Sequence, residues 1–236
     1  MLIPQDYHNS WDDFLTDGLK KDLQDIESKI GDDFTPPKDK ILRFLKLDLN
    51  NAKVVILGQD PYKPENVANG RSFQPDDLND WGQSFRQISL KNIIRLIHKG
   101  YKNIENYSDI YKYSDIVKEI KKGEFNIKPP KEWFDSLENQ GVLFLNTSLT
   151  CKINISNSHK EIWENFSYEM LEYISSKKPN LVWFLWGKES INNKDFIKSG
   201  KIITSRHPMM CAEKYEDDFL KSDCFKSTSD IINWLG

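Results

Sequence analysis

The sequence predicts a three-layer α/β/α fold around a central four-stranded parallel sheet. Two observations carry this. Four short apolar runs, "AKVVILG" (52–58), "GVLFLNT" (141–147), "NLVWFLW" (180–186) and "GKIITS" (200–205), are rich in β-branched or aromatic residues and apolar at both alternating sets of positions, the pattern of strands covered on both faces. Helical patterns separate them, and strands alternating with helices imply right-handed crossovers. Repeats, low-complexity tracts and linkers rich in Pro, Gly or Ser are absent, so residues 1–236 are expected to form a single domain.

The helices follow in order. "SWDDFLTDGLKKDLQDIESKI" opens with Ser10 as its N-cap candidate and acids in its first turn, so residues 1–50 read as a helical cap on the sheet. "SLKNIIRLIHKG" begins at Ser89 and stops at Gly100. "PPKEWFDSLENQG" starts on prolines and stops at Gly141, and "SHKEIWENFSYEMLEYISSKK" carries apolar residues at helical spacing.

Composition narrows the class. With 38% hydrophobic and 29% charged residues the chain reads as globular, and no apolar run reaches the about 18 residues that span a bilayer. Cys151, Cys211 and Cys224 form no CxxC pair, which points away from a disulfide framework or a zinc site. The start, "MLIPQDYHNSWDDF", lacks the basic and apolar pattern of a secretory signal; a reducing cytoplasm is the expected location. The net charge of −3 leaves nucleic-acid binding open, since a local basic face is sufficient to neutralise a few phosphates.

In parallel sheets, ligands bind beyond the carboxyl ends of the strands. That rule selects Gln59-Asp60-Pro61-Tyr62, Asn146-Thr147-Ser148, Gly187-Lys188 and Ser205-Arg206-His207-Pro208. Each member has a plain structural reading: Asp60 as a turn former, Asn146 as a satisfied core amide, His207 as a loop histidine, Tyr62 and Phe73 as core rings. Together they fit one chemistry. A carboxylate positions water and stabilises an oxocarbenium-like centre. A neutral imidazole hydrogen-bonds an oxygen that gains negative charge. A carboxamide pairs with a base edge and an aromatic ring stacks on its face. The set suits cleavage of an N-glycosidic bond on a base drawn out of nucleic acid.

On these residues the chain resembles the uracil-DNA glycosylase superfamily, most closely its first family. "GQDPY" (58–62) matches the water-activating motif, and the spacing to Phe73 in "NGRSF" (69–73) is kept. "GVLFLNTSLT" (141–150), "NSHKEIWENF" (157–166), "FLWG" (184–187) and "SRHP" (205–208) follow in the family's order, covering most of residues 52–235. The resemblance implies that Asp60 positions the water, Gln59 helps hold a base oxygen, Tyr62 packs at the C5 edge and excludes a methyl group, Phe73 stacks, Asn146 pairs with the base and His207 stabilises the departing O2. It further implies DNA contacts by Lys63, Ser89, Lys188, Arg206, Met209 and Met210. It implies no metal, no cofactor and no lysine nucleophile, so the product is an abasic site in an intact strand. DNA, single- or double-stranded, is the expected partner of a monomer, alongside an unidentified inhibitor or partner protein and no membrane.

The departures concentrate around the pocket and the DNA grip. Lys63 stands where the family has His, and Arg71 where a small or apolar residue is usual. "QPDDLNDWGQSF" replaces the usual continuation after Phe73, and the proline-rich loop before "SLKNI" is missing. Met209, Met210 and Cys211 replace Ser-Pro-Leu, and either Met can act as the apolar wedge. Residues 99–131 read as an insertion, either a solvated helical excursion or an added DNA contact. Uracil is the default base. The alternatives are a hypermodified cytosine of phage DNA, admitted by Lys63 and Arg71 at the rim in antiviral defence, and a non-catalytic binding module.

Overall fold

The computed structural model describes residues 2–236. The predicted strands are all present: β1 (Val54–Gly58), β2 (Val142–Asn146), β3 (Val182–Trp186) and β4 (Lys201–Ser205). They form one parallel sheet in the order β2-β1-β3-β4. Strand alternation divides the interior into two cores, because successive side chains leave opposite faces of a pleated strand. Val55, Leu57, Leu143, Leu145, Trp183 and Leu185 pack on one face with α1 (Asp17–Ile30) and α5 (Lys160–Lys177). Val54, Ile56, Val142, Phe144, Phe184 and Trp186 pack on the other with α2 (Ile88–Tyr101), α3 (Tyr113–Lys122) and α4 (Pro130–Asn139). A single turn of helix, α6 (Lys188–Ile191), follows β3, and its Ser190 hydroxyl donates to the Leu57 carbonyl at 2.8 Å.

β4 departs from the predicted two-sided burial. Lys201, Ile202 and Thr204 are exposed at this edge of the sheet, whereas β2, the other edge strand, is buried throughout. The start of α1 also differs. Its N-cap is Thr16, whose hydroxyl accepts from the Leu19 N–H at 3.2 Å. Ser10 instead lies in a short 3-10 turn and accepts from the Leu49 N–H at 3.0 Å, while the neighbouring Trp11 is buried with its indole donating to the Leu47 carbonyl. A long-range contact thus outweighs the local capping signal at Ser10. α2 begins one residue before Ser89, and the side chain of Gln87 at its N-cap does not cap the helix but accepts from the Arg86 N–H at 3.1 Å.

Residues 1–50 contribute Trp11, Phe14, Leu15, Leu19, Leu23 and Ile26 to the first core. Residues 99–131 contribute Ile110, Ile116, Phe125 and Ile127 to the second. Among the described residues, no helix is long and apolar enough to cross a membrane.

Candidate active site

The sheet register sets the site. The ladder pairs Gly58 with Asn146 and Trp186 with Ser205, so the loops beyond them leave from one rim. Thr147 N–H donates to the Gly58 carbonyl at 3.1 Å and Ser148 N–H to the Gln59 carbonyl at 2.8 Å, which extends the pairing past the strand ends. Asn146 is buried, its Oδ1 has no hydrogen-bond partner among the described residues, and that oxygen lies against Gly58. A buried acceptor without a partner carries a desolvation penalty that an incoming donor would relieve.

Asp60 is half-buried. Its Oδ2 accepts from the backbone N–H of Asn157 at 2.9 Å. Burial raises its carboxyl pKa above the usual range, while the Asn157 N–H and the charge of Lys63 work against that rise. Asn157 adopts a φ of 62°, a left-handed conformation that Asn tolerates better than most residues. Its carbonyl oxygen Oδ1 accepts from the Gln59 amide, so Gln59 is turned to this loop. Pro61 is buried, with Cys151 Sγ 3.7 Å from its carbonyl. Burial, with the negative charge of Asp60 added, pushes the Cys151 thiol up to about 12, so it stays protonated at neutral pH.

Phe73 also has a left-handed φ, 63°, which for a bulky side chain costs of order 1–3 kcal/mol and persists where the surroundings enforce it. They do so here at every neighbouring residue. Tyr62 Oη donates to the Phe73 carbonyl at 3.1 Å, and Ser72 Oγ to the Ile56 carbonyl at 3.2 Å. Arg71, 5% exposed, donates to Gln74 Oε1 at 2.8 Å, to Asp135 at 2.7 Å and to Glu138. The expected placement of Arg71 at the rim is therefore wrong: its buried guanidinium is paired with two α4 carboxylates, buried Glu138 and exposed Asp135, and it is not available to a base substituent. The Phe73 ring lies 5.4 Å from Trp186 and 6.3 Å from His207, centroid to centroid.

His207 packs against Gly187, whose φ of 85° and missing side chain allow that approach. The Met209 N–H donates to His207 Nδ1 at 3.2 Å. An Nδ1 lone pair engaged in this way places the proton of the neutral ring on Nε2. Burial lowers the imidazole pKa, which favours that neutral form.

The proposed DNA contacts divide. Lys63, Lys188, Met209 and Met210 are exposed, the two methionines at 53% and 62%. Ser89 is half-buried in the first turn of α2. Arg206 is half-buried, stacked 3.6 Å over the Tyr215 ring and 3.6 Å from exposed Asp217. Sequence reading did not single out Asn157 or Trp186. Asn157 lies inside the quoted "NSHKEIWENF" block, but the sequence does not show that its backbone meets Asp60. Among the described residues, no group of three or more His, Cys, Asp or Glu side chains is arranged to hold a metal ion.

Arranged this way, the site offers a half-buried carboxylate, a neutral imidazole donor, an amide with a free acceptor and an aromatic face. The model of the Uracil DNA glycosylase superfamily matches residues 46–229. A uracil-DNA glycosylase of Francisella philomiragia is 31% identical over 242 residues, 95% of this chain and 99% of its own. One of Borreliella burgdorferi is 31% identical over 235 residues, 94% of this chain and 92% of its own. Among solved structures, the UNG of Nitratifractor salsuginis superposes with a TM-score of 0.74 at 19% identity, covering 98% of this chain and 92% of that one. A mimivirus UNG variant in complex with UGI gives 0.69 at 24% identity, covering 95% and 84%.

Proposed function

The chain belongs to the uracil DNA glycosylase superfamily, and on that premise we propose that it draws uracil out of DNA and hydrolyses its N-glycosidic bond. The observation that carries the reading is the buried Asn146 amide with its free oxygen, set on the same sheet rim as Asp60 and His207. Asn146 reads the base edge, Phe73 stacks on its face, and Tyr62 stands at the C5 side. The C1′–N1 bond breaks with its electron pair on the base. The sugar becomes an oxocarbenium-like cation facing the Asp60 carboxylate, and the charge on the base gathers at O2, where His207 Nε2–H donates. Water held by Asp60 then bonds C1′ through its oxygen and yields a proton through the carboxylate to solvent. The product is an abasic site in an intact strand.

The burial of Arg71 removes one of the two charges that would favour a bulky polar 5-substituent, and this supports uracil as the base. Lys63 and Lys188 meet phosphates, and Met209 or Met210 fills the vacated stack. The same reading takes residues 1–236 as one domain with 99–131 inserted in it, acting as a monomer in the cytoplasm without metal or cofactor; the three free thiols support a reducing setting. UGI, the partner in the mimivirus complex, is a candidate inhibitor of this chain. The test is an oligonucleotide panel carrying uracil, thymine, cytosine, 5-hydroxymethylcytosine or its glucosylated form, read by base release and alkali-labile strand breakage. Release of uracil alone is expected. Release of modified cytosine alone, or of nothing, overturns the reading.

A further inference from the structure

The turn that carries His207 is held from behind by residues that take no part in the proposed chemistry. The Pro208 carbonyl accepts from Nδ2 of buried Asn92, on α2, at 2.6 Å. An amide can present either end to a partner, and here Arg95 decides which: its Nη1 donates to Asn92 Oδ1 at 2.9 Å, leaving Nδ2 for Pro208. Arg95 is itself oriented by the segment 99–131, since its Nε donates to the Tyr111 carbonyl at 2.8 Å.

A second strut leaves the same segment. Tyr107 Oη donates to Asp218 Oδ1 at 3.1 Å. Asp218 is buried and clasps the loop after His207, accepting the Ala212 N–H on Oδ2 at 2.6 Å and the Leu220 N–H on Oδ1 at 2.9 Å. Between the struts lie Met209 and Met210, exposed at the tip. The segment's apolar residues Ile110, Ile116 and Phe125 fix it to the core, so the struts push from a rigid base.

We infer that segment 99–131 is a buttress for the His207 loop, with Arg95, Asn92 and Tyr107 as positioning residues that set the imidazole and the methionine tip. This rests on the glycosylase reading above. It assigns the segment a task distinct from direct DNA contact: a loop that enters a base stack must not yield, and an imidazole that donates to a departing oxygen must not wander.

The test uses the full chain with Arg95→Ala and Tyr107→Phe, the second of which keeps the ring and its packing; thermal melts check that each variant is folded. Single-turnover uracil release from duplex DNA is expected to fall about ten-fold in each, with a smaller change in half-saturating DNA. On single strands, where the methionine tip matters far less, the same changes are expected to cost about ten-fold with His207 present and less than about two-fold in a His207→Ala background, because there they act through His207. Imidazole ¹⁵N shifts of His207 give a readout independent of turnover: wild type shows one Nε2–H tautomer, and the variants an averaged pair. Equal losses with and without His207, or ¹⁵N shifts unchanged in both variants, overturn the buttress. Failure of the wild type to release uracil overturns the glycosylase reading instead, and the ¹⁵N shifts still decide this one.

Discussion

The carboxamide oxygen of Asn146 occupies the space that a β-carbon on Gly58 would need, and the Ser72 side chain closes the same space from the other side. Glycine at the end of β1 is therefore a condition for the amide to lie where it does. Gly58→Ala is expected to displace Asn146 and lower single-turnover uracil release about 100-fold, at an overpacking cost of about 1–3 kcal/mol. Parallel rate and urea-unfolding measurements check it; wild-type turnover would show that the Asn146 position is unimportant.

Asp60→Asn is expected to lower base release about 1,000-fold or more while DNA binding persists. It is also expected to stabilise the fold at neutral pH. The folded pKa of Asp60 is raised by burial, so its stabilising contribution is present below the unfolded pKa and is lost as pH rises through the folded one. At pH 7 the carboxylate is a burden that Asn removes, and calorimetry should show a higher Tm there and little difference near pH 3.

His98, His159 and His207 all have pKa values lowered by burial. Each contributes stability that is complete above the unfolded value of about 6.5 and is lost as pH falls through the folded value, because the unfolded chain takes up the proton first. Activity follows the same direction, since the proposed roles need a neutral His207 and an ionised Asp60. A rate profile that is flat above about pH 6.5 and falls on the acid side is expected from the cited shifts. A rate that rises on acidification would contradict both assignments.

Glu138 is the carboxylate shared by Arg71 and Arg43, and its side chain is 6% exposed. Glu138→Gln keeps the shape but removes the counter-charge of half-buried Arg43 and one of the two carboxylates paired with buried Arg71, with an expected loss of about 3 kcal/mol in urea unfolding. Because Arg71 anchors the segment that bends Phe73 to a positive φ, base release should weaken in the variant as well.

Met209→Ala combined with Met210→Ala is expected to lower uracil release from duplex DNA about ten-fold and from single strands far less, because a wedge matters only where a stack must be opened. Equal losses on both substrates would assign the methionines another role.

The strands were legible because burial on both faces is written in consecutive residues: "VVILG", "VLFLN" and "VWFLW" each carry the signal within five positions. The candidate site was legible for the same reason, since Asn146 ends a strand, Asp60 and His207 follow strand ends, and those ends share a rim. β4 misled because a local run does not show whether packing covers an edge strand: β2, the other edge, is buried throughout, and β4 is not.

The sequence by itself determined the layered parallel fold, the rim on which the proposed chemistry sits and the residue types gathered there. Tertiary structure alone decided that Arg71 is a buried anchor, that Asn157 holds Asp60 through its backbone, and that segment 99–131 braces the His207 loop. The physical reason is separation along the chain. Periodicity is a property of neighbours, whereas Arg71 meets Glu138, Asn157 meets Asp60 and Tyr107 meets Asp218 across 67, 97 and 111 positions. Pairings at that distance depend on how the elements pack, so the sequence could show the donors and acceptors without showing which of them would meet.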